Sequence, residues 1–212
     1  MQSNSRIEIL NKIAATRSKR IAAINNANDF EDSEIYKPVL VNSLDCFMTE
    51  LEAVNGKCVL CDNDIELYQK LAEFIHNQNL NSVFCKDSEI EKQLEIQQIP
   101  FSNSNTDFEK MQVGITSCEY LIARTGSILV TSAAESGRQM TVFPPIHIVV
   151  AKASQLVDYL TDAYALLQQK YKSALPSSIS TITGPSRTAD IEKTLVLGAH
   201  GPKEFVVFLS KI

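Results

Sequence analysis

Short apolar runs and amphipathic stripes alternate along most of this chain. Leu44, Phe47, Met48, Leu51 and Val54 recur at helical spacing, with Ser43 placed to cap the start and Gly56 just past the end. Residues 57–61 form a short apolar run of strand type. Ile65, Tyr68, Leu71, Ala72 and Ile75 make a second helical stripe behind a cap at Asn63 or Asp64. Residues 82–85 predict a strand and 88–97 a short polar helix. Residues 113–116, 127–132 and 146–151 read as buried strands, and Leu156, Leu160, Ala163, Tyr164 and Leu167 as one helix face. Residues 178–183 and 205–209 complete the set. Continuous aliphatic strands between amphipathic helices predict an α/β protein: three layers, α/β/α, around a mainly parallel sheet.

Upstream of that alternation the pattern changes. Ile7, Leu10, Ala14, Ile21 and Ile24 form a narrow helical stripe interrupted by Arg17 on a basic surface, and residues 25–38 are polar and acidic. The expected organisation is an N-terminal helix and polar linker over 1–39 and an α/β domain over 40–212.

Composition narrows the function classes. Of 212 residues, 44% are hydrophobic and 21% charged, the profile of a globular protein. Twenty Lys+Arg against 25 Asp+Glu give a net charge of −5, which disfavours non-specific attraction to nucleic acid or anionic membrane. No apolar run approaches the roughly 20 residues of a membrane span. The first residues lack the apolar stretch of a secretory signal. Five cysteines without framework spacing read as free thiols, so a cytoplasmic protein is expected.

Standard motifs are missing: there is no Gly-x-Gly-x-x-Gly, no Walker-type Gly-Lys-Ser/Thr and no His-Glu-x-x-His. Cys58 and Cys61 form a lone C-x-x-C in a predicted strand, where positions i and i+3 face opposite sides, and no metal site is expected. His76 reads as a helix-end histidine and His147 mainly as a core histidine.

Candidate chemistry collects in three clusters. Gly184-Pro185-Ser186-Arg187-Thr188-Ala189-Asp190 follows a strand directly and offers a hinged turn, two hydroxyls and a guanidinium, the parts of an anion cradle. A Gly-Pro turn with Asp190 pairing Arg187 explains the same residues. Gly198-Ala199-His200-Gly201-Pro202 holds an imidazole in a tight turn, and Asp190 with His200 suits a carboxylate–imidazole pair for proton transfer. The plainer reading is that the glycines let two backbones approach. The third cluster runs from Gly114-Ile115-Thr116 through Glu119 to Thr125-Gly126-Ser127. Thr116 or Ser117 reads there as a helix cap with Glu119 in the first turn, and capping or lining the same cleft are both open.

These strings together resemble the signatures of the LUD domain family, the lactate-utilization protein C type in particular. The resemblance covers roughly residues 40–210, and its most specific part is Gly184 to Glu192. It implies the α/β/α fold of the superfamily that holds sugar-phosphate isomerases, CoA transferases and 5-formyltetrahydrofolate cyclo-ligase. It also implies a part in bacterial L-lactate oxidation to pyruvate, beside two types of iron–sulfur partner protein. The chain departs from the pattern at Arg124, where the family usually carries an acid, and at Ser127, where threonine is more frequent.

The residues expected to act are Asp190, His200 and Glu119 in catalysis. Thr125, Gly126, Gly184, Ser186, Arg187, Thr188 and Gly201 are expected to bind a small carboxylate or phosphate. No cofactor is expected in this chain; the iron–sulfur clusters belong to the partners, and self-association is left open. The competing readings are a stand-alone isomerase, transferase or cyclo-ligase, and a non-catalytic assembly subunit.

Overall fold

The computed structural model describes residues 6–15, 39, 41–104, 110–136, 139–188 and 196–212. The chain divides into two units, 1–38 and 39–212. In the first, helix α1 spans residues 6–15. It carries Ile7, Ile9, Leu10 and Ile13 exposed, and a Lys12–Glu8 ion pair one turn apart.

In the second unit the apolar runs become the five parallel strands of a central sheet. These are β1 (Lys57–Cys61), β2 (Val83–Cys85), β3 (Val113–Thr116), β6 (Ile146–Lys152) and β11 (Glu204–Ser210), in the order β1-β11-β6-β3-β2. Their side chains alternate between two cores, as strand geometry requires. On one face, α3 (Asp64–Asn77) and α4 (Ser88–Ile96) set Leu67, Leu71, Ile90 and Leu94 against Ile115, Ile148, Val206 and Phe208. On the other, α2 (Ser43–Ala53) buries Phe47 and Leu51 against Val149, Phe205 and Val207. Cys58 and Cys61 fall in these two different cores, as their spacing in a strand predicts. The expected α/β class, with a mainly parallel sheet flanked by helices, is the architecture observed.

A second sheet joins the expected strands at 127–132 and 178–183 to two that were not expected. It joins β7 (Leu156–Val157), β4 (Tyr120–Ile122), β5 (Ser127–Thr131) and β8 (Ile179–Ile182) in that order. Its inner face contributes Leu121, Ile128 and Val130 to the α2 core, and α5 (Leu160–Tyr171) covers Ile122 and Leu129 outside. Two local expectations are corrected here. Thr116 and Ser117 start no helix, because 120–122 pairs antiparallel with 127–129 instead. Leu156 pairs with Leu121 in β7 rather than joining the stripe of α5.

The caps are local chemistry. Asn42, Asn63 and Asp87 accept from the first free amides of α2, α3 and α4.

Candidate functional site

The glycine strings come together at the amino-terminal ends of β6 and β11. Gly184 adopts φ +72°, and a Cβ there would stand 2.5 Å from the Val54 carbonyl oxygen, behind the end of α2. The Arg187 guanidinium donates to that same carbonyl, which a helix C-terminus leaves without an internal partner. The Ser186 amide donates to Pro202 O at 2.8 Å and the Gly198 amide to Ser186 O at 2.9 Å. Next to them β9 (Arg187–Thr188) pairs antiparallel with β10 (Val196–Leu197). Gly201 lies so close that a Cβ would meet Ser186 Cβ at 3.0 Å. Ser186, Arg187, Thr188, Gly184 and Gly201 are thus one assembly. Beside it His200, Lys203, Phe143 and Pro145 line a hollow of about 430 Å3 with His200 exposed. Asp190 lies outside the described residues.

The Thr125-Gly126-Ser127 turn is engaged in packing. Gly126 is left-handed at φ +58°, and a Cβ there would overlap the backbone of Glu50 and Leu51 in α2. The Thr125 and Ser127 hydroxyls lie 2.8 Å apart, and Ser127 Oγ reaches Thr183 Oγ1 at 2.8 Å. Arg124 stands 3.8 Å from Glu50 in an exposed ion pair.

Glu119 sits at the opposite, carboxyl-terminal end of the central sheet. Its Oε1 accepts from Thr131 Oγ1 at 2.9 Å and Tyr171 OH at 2.6 Å, while Lys170 Nζ donates to Oε2 at 2.6 Å. Burial pushes its pKa up, but hydrogen bonds from Lys170, Tyr171 and Thr131 outweigh that and hold the carboxyl below its ordinary range. Nearby, Ser117 Oγ donates to Asp87 Oδ2 at 2.6 Å and Gln155 Nε2 to the Cys118 carbonyl at 2.5 Å. Burial lifts the Cys118 thiol to about 12, so it stays protonated and inert at neutral pH. Two hollows, of about 300 and 380 Å3, share Asp87, Glu89, Ser117 and Cys118 and form one crevice.

The structure therefore brings Ser186, Arg187 and Gly201 together beside His200, and keeps Glu119 apart from them. Asp87 and Ser117 had a sequence signal, since Ser117 directly follows β3 and Asp87 lies two residues past β2, where such folds place ligands. Lys170 and Tyr171, at the far end of a helix, had none.

Buried near the amino end of β6 is His147. Its Nε2 lies 2.9 Å from Thr116 Oγ1, its ring tilts against Phe205 at 5.4 Å, and its Nδ1 has no hydrogen-bond partner among the described residues. Burial drives its pKa down to about 3, so the imidazole is neutral.

The model of the LUD domain family matches residues 86–210, more than half of the chain. This chain belongs to the LUD domain family. Among curated LUD relatives, "Lactate utilization protein C" of Bacillus licheniformis is 36% identical over 96 residues, covering 44% of this chain and 40% of that protein. The protein of the same name from Bacillus subtilis is 38% identical over 96 residues, with the same coverage. "Uncharacterized protein YkgG" of Escherichia coli is 34% identical over 103 residues, covering 48% of this chain and 45% of that one. The match thus spans less than half the length of these relatives. A crystal structure of a DUF162 family protein from Deinococcus radiodurans superposes with a TM-score of 0.60 at 18% identity, over 79% of this chain and 96% of that one. That likeness bears on the fold alone.

Proposed function

We propose that this LUD chain serves bacterial L-lactate utilisation, binding a small carboxylate at the joined glycine loops while iron–sulfur partner proteins take the electrons. Oxidation of L-lactate to pyruvate releases two electrons and two protons, so an electron acceptor is required. The thiols of this chain do not suit a cluster: Cys58 and Cys61 face opposite cores, and no three His, Cys, Asp or Glu converge as a metal site among the described residues. On this reading the electrons pass to partners; the names of the relatives support the lactate-utilisation part of it.

One observation carries the choice of site. The backbone bonds that join Ser186 to Pro202 and Gly198 hold the Arg187 loop against the turn bearing His200, and that turn with Lys203 lines a hollow open to solvent. Lys203 and His200 line the hollow and favour an anion; the Arg187 guanidinium lines no part of it and donates to the Val54 carbonyl, a bond it must release to offer its planar fork to a carboxylate. The Glu119 crevice is rich in carboxylates and suits such a ligand poorly.

Thermal denaturation with and without L-lactate or pyruvate tests this reading. Ligand at about 100 times Kd adds about 2.7 kcal/mol to the native protein. Arg187→Ala removes that stabilisation, together with lactate-dependent growth, while the variant still assembles with its partners. Normal growth on lactate with Arg187→Ala overturns the cradle.

A further inference from the structure

The crevice at the carboxyl ends of β2, β3 and β6 is absorbed by none of this, although a parallel sheet ordinarily presents its ligands there. It has two unlike halves. Tyr68, Ile90, Val150 and Ala151 make one apolar wall. Glu119, Tyr171 and Lys170 bound the other half, with Ser117 and Asp87 on the shared floor.

Its chemistry points away from anions on separate grounds. Helix N-termini attract phosphates when their amides are open. Here the amino ends of α3 and α4 are already closed by Asn63 and Asp87, whose side chains accept from the Glu66, Glu89 and Ile90 amides. Both lysines of the crevice are also spoken for, Lys170 by Glu119 at 2.6 Å and Lys152 by Asp64 at 2.6 Å. Carboxylates nonetheless outnumber cations around the crevice: Asp64, Asp87, Glu89, Glu119 and Glu135 line it with Lys152 and Lys170. Glu119 is held rigid by three donors at the wall, and Asp87 is fixed by its own cap and by Ser117. The cavity volumes suit a single- or double-ring molecule rather than a polymer.

We infer that this crevice is a second binding site, for a small molecule with a flat apolar body and a cationic or hydrogen-bond-donating head. The body lies against Tyr68, Ile90 and Val150, and the head faces the Asp87 and Glu119 carboxylates. The site stands apart from the carboxylate-binding loops and does not depend on that reading.

A matched pair of probes tests it. Tryptamine and indole-3-acetate share one ring system and differ in the sign of the head group. Titration of the full chain, followed by backbone amide shifts, is expected to show tryptamine binding in the millimolar range and moving Ser117, Cys118 and Glu119. It binds about tenfold or more tightly than indole-3-acetate. Asp87→Asn keeps the helix cap while removing the charge, and Glu119→Gln keeps the shape of the acceptor. Each is expected to shrink the preference. Ala133→Trp, at an exposed position on the rim, is expected to block binding without disturbing the fold. Equal affinity for the two probes, tighter binding of the acetate, no binding of either, or binding untouched by Ala133→Trp overturns the proposal.

Discussion

The two ends of the central sheet are built by different means. At the amino end, glycines at φ +72° and +71° and inter-loop backbone bonds fix the Ser186–Arg187 and His200–Gly201 turns, and the charged side chains hang from that frame. At the carboxyl end, side chains do the fixing: Glu119, Tyr171, Lys170 and Thr131 lock one another across 52 residues of sequence. A backbone-built site announces itself in residue type, because only glycine takes such turns freely. A side-chain-built site leaves no local trace. The difference teaches that the density of a sequence signature measures backbone constraint, and that the chemistry of a cavity has to be read separately.

The comparison breaks most sharply at the glycine that welds the second sheet to α2. Gly126→Val forces a branched side chain into the Leu51 backbone at a left-handed φ. The expected loss is about 3 kcal/mol or more in urea unfolding. A loss near zero would mean that the turn is not pinned to the helix.

Acid separates the two ends next. His147 has a folded pKa near 3 against an ordinary 6.5, so below pH 6.5 the unfolded chain binds the extra proton and stability falls with falling pH. Glu119 is depressed from 4.5, so its contribution is whole above that pH and is lost only as pH drops below it. Between pH 6.5 and 4.5 the loss therefore belongs to His147, at up to about 1.4 kcal/mol per unit. Thermal melts of His147→Asn are expected to be flatter with pH in that window. An unchanged slope would assign the acid sensitivity elsewhere.

The smallest contrast is between the two charged anchors. Glu119→Ala strips the acceptor from three donors and is expected to cost about 1–3 kcal/mol. Arg187→Ala, on an exposed side chain, is expected to cost less than about 1 kcal/mol and to act on ligand binding instead. Equal losses in chemical denaturation would erase the distinction between the two ends.

Most of the central sheet was legible in the sequence, because doubly buried parallel strands are written as uninterrupted aliphatic runs. The caps at Asn63 and the limits of α3 followed from the same local rules. Of the second sheet, β5 and β8 were legible as strands, but β4, β7 and their joining into a separate sheet were not. Thr116-Ser117 before Glu119 imitates a helix start, yet the pairing of Tyr120 with Leu129 across the Gly126 turn prevails over that propensity. Leu156 shares its spacing with the face of α5, so periodicity alone drew it into the wrong element. At the site, the meeting of Ser186 with Gly201 was foreshadowed by their flanking glycines. The clasp of Lys170 and Tyr171 on Glu119 joins the end of a helix to the start of a strand, and no spacing rule encodes that.

The strand that lies between β1 and β6 is also the latest of the five to be synthesised. Among the described residues β1 has β11 as its only neighbour in this sheet, so it waits through more than 140 residues of translation before it can pair. Until β11 is made, β1 and the facing edge of β6 have no strand between them, the kind of unpaired edge that chaperones shelter.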